Sequence, residues 1–157
     1  MEDSNLLQFR TLTEEEFKNI HELLIQDSSV SQYVSFSYYA LVTNGIFYKG
    51  QLAGIFNLNY FIGNSIALSI ALLQKYRKIR IAKATFNKII SIYGKQFLDV
   101  DLFIANVSPN NENAMYAFGN MGLKRTHEFD EMILDEGAEF FSVFYEENPY
   151  RKLVKND

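Results

Sequence analysis

The chain contains no cysteine, which excludes disulfides, thiolate nucleophiles and cysteine-ligated metals. It has only two histidines, His21 and His127, too few for a histidine zinc site unless carboxylates complete it. Partly exposed helix or strand positions account for both, and no metal is expected. Residues 1–5 carry neither the basic start nor the apolar core of a signal peptide, so a cytoplasmic protein is expected. Acidic residues are missing from one long interval. Between Asp27 and Asp99 there is no Asp or Glu, yet that interval carries eight of the 15 Lys and Arg residues. Residues 28–48 and 50–74 lack charge altogether, and length alone would admit a membrane span. Polar residues interrupt both, among them Ser28, Ser29, Asn44, Gln51, Asn57, Asn59 and Asn64. Buried strands and helices explain them better, and no membrane partner is expected.

What is present suits one folded domain. In 157 residues, 48% are hydrophobic and 22% charged, enough to bury a substantial core. A single domain over 1–157 is expected, with its core at about 6–147 and a tail at 148–157. The middle of the chain is cationic. The stretch Glu128, Asp130, Glu131, Asp135, Glu136, Glu139, Glu146, Glu147 is acidic, with no Lys or Arg among them. Such a chain suits an anionic ligand in its middle and a cationic one near its end; two solvated faces of opposite sign are the other reading. Nucleic acid is not an expected partner, because the net charge is -4 and the basic residues gather at one turn, not along a stripe.

Local patterns give the element order. Leu6 to Arg10 reads as a strand. Thr13 and Glu16 stand at capping-box spacing, opening a helix through Phe17, Ile20, Leu23 and Leu24. The aromatic segment Ser31 to Val42 is helical or mixed. Asn44-Gly45 marks a turn, after which Ile46 to Tyr48, Lys49-Gly50 and Leu52 to Tyr60 make a hairpin. Gly63-Asn64 turns the chain into a strand over Ile66 to Leu73, and a helix runs from about Arg77 to a stop near Gly94. A strand is predicted over Phe97 to Val107, apolar on its Leu98, Val100, Leu102 and Ile104 face. A helix follows to about Met121, with Gly122 as its stop, and two strands, Leu123 to Leu134 and Ala138 to Glu146, close the chain.

The most informative junction lies at residues 70–86. There a strand ends in a turn carrying Lys75, Arg77, Lys78 and Arg80, and a helix begins. Helix starts offer unpaired N–H groups and the positive end of a macrodipole, so this junction suits an anion such as a pyrophosphate. A plain solvated basic helix start is the alternative.

The run Arg77-Lys78-Ile79-Arg80-Ile81-Ala82 resembles the pyrophosphate loop of the GNAT acetyltransferase superfamily, Arg/Gln-x-x-Gly-x-Gly/Ala after a strand and before a helix. Its first and last positions fit; its central glycine is Arg80. A second segment, Asn106 to Leu123, is similar to the superfamily pattern Asn-x-x-Ala-x-x-x-Tyr-x-x-x-Gly-Phe. Asn111, Ala114 and Gly122 match, Leu123 replaces the phenylalanine, and Phe118 stands at the tyrosine position. The resemblance covers about Leu6 to Glu147. It implies the α/β (α+β) acyl-CoA N-acyltransferase fold, a central mixed twisted sheet of about six or seven strands with helices on both faces.

The resemblance further implies acetyl-CoA as co-substrate and a primary amine, of a small molecule or peptide, as acceptor. Leu72, Leu73 and Gln74 would face the pantetheine. Arg77, Lys78, Ile79, Arg80, Ile81, Ala82 and Lys83 would hold the pyrophosphate, partly through the backbone donors of Lys78, Ile79 and Ile81. Asn111 would lie on the far side of the cofactor, and Asn106 and Phe118 would be further cofactor-binding residues. By the same analogy, closing strands pair between subunits, so a homodimer is a partner to test for. Direct amine attack calls for a proton acceptor, oxyanion donors and an acid near the departing thiolate. The base is open among Asp99, Asp101, Glu128, Asp130, His127 and ordered water. The acid is open too: Phe118 has no proton, and Tyr116, two positions earlier, points elsewhere on a helix. A catalytically weak or inactive relative that binds acyl-CoA, as a sensor or interaction module, is therefore the second reading.

Overall fold

The structure is a computed structural model that describes residues 6–27, 36–61, 63–107, 112–126 and 142–151. Its elements follow in the order β1 (Leu7–Thr11), α1 (Glu14–Gln26), β2 (Val42–Tyr48), β3 (Gln51–Tyr60), β4 (Ser65–Leu72), a single 3-10 turn (Gln74–Tyr76), α2 (Ile79–Gln96), β5 (Leu102–Val107), α3 (Glu112–Asn120), β6 (Lys124–Thr126) and β7 (Ser142–Glu147). The seven strands form one mixed sheet in the hydrogen-bonded order β1-β2-β3-β4-β5-β7-β6. β4 and β5 pair in parallel, whereas β1–β2, β2–β3, β5–β7 and β6–β7 are antiparallel. No described helix is long and apolar enough to cross a membrane.

Contacts group the chain into two compact units, residues 1–59 with 68–85 and residues 60–67 with 86–157. In the first, the capping box forms as the spacing predicts. The Thr13 hydroxyl accepts from the Glu16 N–H at 3.1 Å, and the Glu16 carboxylate accepts from the Thr13 N–H at 2.9 Å. This satisfies two of the orphan amides at the start of α1. α1 then lays Phe17, Ile20 and Leu24 against Leu12 and Ile55, with Phe36, Tyr38, Phe47, Leu52, Ala71 and Leu73 packed around them. Burial of each such side chain contributes roughly 1.5–3 kcal/mol. Asn57, buried in β3, ties the segment before β2 to this core. It accepts from the Ser37 N–H at 2.8 Å and donates to the Ser37 carbonyl at 3.1 Å and the Thr43 hydroxyl at 2.9 Å.

In the second unit, β4 runs in register with β5 over Ser65↔Leu102 to Ala67↔Ile104, and β5 pairs along its whole length with β7. Phe103, Ile104 and Ala105 are all buried, so this central strand buries both of its faces. Asn148, just past β7, is 1% exposed. Its amide nitrogen lies 3.2, 3.2 and 2.9 Å from the carbonyl oxygens of Gly94, Phe97 and Val100.

Three sequence expectations are corrected. Asn44-Gly45 is not a turn but the middle of β2. Gly45 is there because a Cβ would collide with Leu12 and Phe47. The hairpin turn expected at Lys49-Gly50 is where the sequence places it, both residues at positive φ. The predicted strand over Phe97 to Val107 begins only at Leu102, because α2 continues to Gln96, and Leu98 is 42% exposed instead of facing a core. Gly94, read as a helix stop, lies inside α2, where a Cβ would meet the Asn148 side chain. Gly122 does end its helix as expected, at φ 89. Of the two predicted closing strands, the first is described only as β6, and its remainder lies outside the described residues.

Candidate anion-binding turn and its surroundings

The turn after β4 is built from consecutive residues of the first unit. Leu72 is buried, and Leu73 packs against the α1 core while its N–H donates to the Ala53 carbonyl at 2.7 Å. Gln74 begins the 3-10 turn and is exposed. Tyr76 is buried and meets Tyr48 edge-on, with ring centroids 6.1 Å apart. That contact anchors the turn to the β2–β3 hairpin. α2 then starts at Ile79, with Ile81 buried and Ala82 half-buried. The Ile79 side chain lies outside what is described.

The side chains of Lys75, Lys78, Arg80 and Lys83 are exposed on this turn and first helical turn. Lys75 Nζ sits 5.2 Å over the Tyr76 ring. Arg77 behaves differently. Its Nε donates to the Leu72 carbonyl at 2.7 Å, and Nη2 pairs with the Asp27 carboxylate at 2.7 Å. Backbone donors are partly engaged as well. The Lys78 N–H bonds to the Tyr76 carbonyl at 2.9 Å, and the Ile81 and Ala82 N–H groups to the Lys78 carbonyl at 2.9 and 3.0 Å. A phosphate at this turn would therefore share the Lys78 and Ile81 amides with the chain and draw mainly on four exposed cationic side chains. Sequence reasoning missed Asp27 as a member of this site. No local signal marks it, since Asp27 and Arg77 are far apart in the sequence.

The other candidates belong to the second unit. Phe118 is half-buried on α3 and stacks on Phe144 with centroids 5.9 Å apart. Tyr116 is 74% exposed. The α3 stop closes with the Leu123 N–H donating to the Phe118 carbonyl at 3.2 Å. The Asn106 backbone lies in β5, in register with Val143; its side chain, like all of Asn111, His127, Glu128 and Asp130, lies outside the described residues. Asp99 and Asp101 are exposed, and the Asp101 backbone bonds to Asn64 and Asn148. Of the acidic closing stretch, Glu147 is met by Lys124 at 3.9 Å and Arg151 at 3.5 Å, so part of its charge is locally offset. His21 stacks on Phe17 with ring centroids 5.5 Å apart.

These elements define the class first: a mixed seven-stranded α/β sheet with a parallel β4–β5 pair and a cationic strand-to-helix turn. The fold is that of the GNAT acetyltransferases, as the two motifs imply. A ribosomal L7/L12 alpha-N-protein acetyltransferase, RimL, in complex with coenzyme A superposes with a TM-score of 0.68 at 13% identity, over 94% of this chain and 97% of that one. The spermidine N-acetyltransferase of Vibrio cholerae, in complex with CoA and spermine, gives 0.67 at 16% identity, over 92% and 96%. A GNAT-family acetyltransferase from Bacillus anthracis gives 0.59 at 18% identity, over 88% and 92%. The chain matches no protein-family model and no curated protein sequence.

Proposed function

We propose that the protein is an N-acetyltransferase that moves an acetyl group from acetyl-CoA to a primary amine. The observation that carries this reading is the cationic turn at the end of β4, in a fold shared with acetyltransferases whose structures hold CoA. The side chains of Lys75, Lys78, Arg80 and Lys83 are exposed in an interval of the sequence without Asp or Glu, so they suit the phosphates of a CoA. Backbone groups of β4 would pair with its pantetheine arm.

In the proposed reaction, the neutral amine attacks the thioester carbonyl. A C–N bond forms, the C–S bond breaks, and the CoA thiolate leaves. The amine proton passes to a carboxylate or to water, and the thiolate takes up a proton. A thiol with a pKa of about 8.5 departs tolerably without an acid, so Phe118 slows this step without forbidding it. The acceptor proposed is a small or peptidic amine, its cationic form drawn by acidic residues such as the half-buried Glu146 and deprotonated before attack.

Calorimetry against acetyl-CoA and against free CoA, followed by a thiol-release assay over a panel of amines, tests the reading. Micromolar binding with turnover supports it. Absence of binding to either ligand sinks it. Arg80 and Phe118, which depart from the superfamily pattern, favour one second reading, an acyl-CoA binder without catalysis; tight binding with no turnover on any amine would select it. Phe118→Tyr separates the two, because restoring a proton donor should raise turnover at least ~10-fold if the missing acid limits the rate.

A further inference from the structure

Asp27 is an unfavourable residue to find at the end of a helix. It is the C-cap of α1, where a carboxylate meets the negative end of the macrodipole, and the last turn of α1 holds no basic residue to offset it. The offset comes from a part of the chain remote in sequence. Arg77 Nη2 lies 2.7 Å from Asp27 Oδ2, with side chains only 27% and 18% exposed. The same guanidinium donates Nε to the carbonyl of Leu72, the last residue of β4, at 2.7 Å. The Nη2 contact is an ion pair without hydrogen-bond alignment. The guanidinium thus bonds the carbonyl through Nε while it faces the carboxylate electrostatically, a placement its rigid plane fixes better than a lysine ammonium would. One side chain thereby joins the end of α1, the end of β4 and the turn between β4 and α2.

We propose that the Asp27–Arg77 pair is a positioning element of the donor site: Arg77 braces the Gln74–Lys83 turn against the end of α1 and does not itself ligate phosphate. This rests on the reading of the turn as a CoA site. Two consequences follow from the geometry. Asp27 neutralises Arg77, so the attraction for an anion resides in Lys75, Lys78, Arg80 and Lys83. The conformation of the turn depends on α1, an element that contributes no residue to the motif.

The test is CoA affinity by calorimetry on the full chain, measured from low to moderate salt. Asp27→Asn and Arg77→Gln should each weaken CoA binding about tenfold, and the double variant little more than either, as coupled partners do. The double variant, which removes a neutral pair, should leave the salt dependence as in the parent. Lys78→Gln should weaken binding and flatten that dependence, since it removes an exposed charge that attracts the phosphates. Asp27→Glu should retain most of the affinity. Unchanged or tighter binding by Asp27→Asn, or a salt dependence flattened by the double variant as by Lys78→Gln, would overturn the proposal and make Arg77 a ligand. If Asp27→Asn fails to fold, Arg77→Lys carries the test. It keeps the charge and loses the rigid plane, so a brace predicts weakened binding and a phosphate ligand predicts near-parental binding. A parent chain that binds no CoA removes the donor site and this proposal with it, whereas parental binding with an indifferent Asp27 removes the proposal alone.

Discussion

Asn148 in the second unit and Arg77 in the first each gather several chain ends onto one side chain, and they do so with opposite chemistry. Asn148 is a neutral amide, 1% exposed, set among three backbone carbonyls at the end of α2. Its own carbonyl accepts from the Tyr150 N–H at 3.0 Å. Arg77 is a cation, about a quarter exposed, held by one carboxylate and one carbonyl. A buried neutral clamp is insensitive to salt and pH, and it is costly to disturb because each group it satisfies has no water to turn to. A partly exposed ionic clamp is weaker and can exchange partners. The rigid kind closes α2 where only packing is at stake; the exchangeable kind sits where an anion is proposed to arrive.

Breaking the neutral clamp should have the largest effect. Asn148→Asp keeps the shape but sets a carboxylate oxygen among the carbonyls of Gly94, Phe97 and Val100. The expected loss is more than about 3 kcal/mol, combining lost bonds with a buried like-polarity contact. Urea unfolding at low and high salt checks it: the loss should be similar at both. A loss under about 1 kcal/mol, or one that salt relieves, would show that Asn148 does not anchor this end of α2.

The next effect tests the first unit by sterics alone. A Cβ on Gly54 would collide with the Ala71 carbonyl and come within 2.9 Å of the Leu72 side chain and 3.0 Å of its Cα. Backbone cannot step aside as a flexible side chain can, so Gly54→Ala should cost about 2–3 kcal/mol. The corresponding fall in Tm is roughly 5–10 °C for a chain of this size. An unchanged Tm would mean that β3 and β4 separate here more easily than their close approach implies.

How much of this was legible in advance follows the same division. The capping box of Thr13 and Glu16, the strand before the cationic turn, the helix after it, and the stop at Gly122 all rest on local chemistry, and local chemistry is written in short windows of sequence. Gly45 and Gly94 were misread because glycine serves turns and close packing alike, and only the third dimension reveals Leu12 or Asn148 at the missing Cβ. For the site, the exposed lysines could be placed from the motif. The partner of Arg77 could not, because an ion pair between distant segments leaves no periodic trace. Thr85 is a further example. It precedes Phe86 and is fully buried, yet among the described residues its hydroxyl has no hydrogen-bond partner. Thr85→Val keeps the shape and removes the unsatisfied group, so it should stabilise the protein by about 1 kcal/mol. A destabilised variant in thermal melts would show that the hydroxyl is satisfied in solution.

The smallest expected effect returns to ionic clamps, at the start of α1. The Arg10 guanidinium bonds both oxygens of Glu16, at 3.1 and 2.9 Å, and the Thr13 N–H adds a third bond. Led by the Arg10 bond, these hold the Glu16 carboxyl at about 2, against an ordinary value of 4.5. A depressed carboxylate contributes stability that is fully present above about pH 4.5 and is lost as pH falls towards 2. Glu16→Gln keeps a capping-box residue at that position and removes only the charge. It should leave stability at pH 3 nearer its neutral-pH value than in the parent, with the difference shrinking in high salt because both side chains are substantially exposed. Parallel acid limbs for parent and variant would mean that this pair, unlike Asp27–Arg77, contributes nothing beyond the cap.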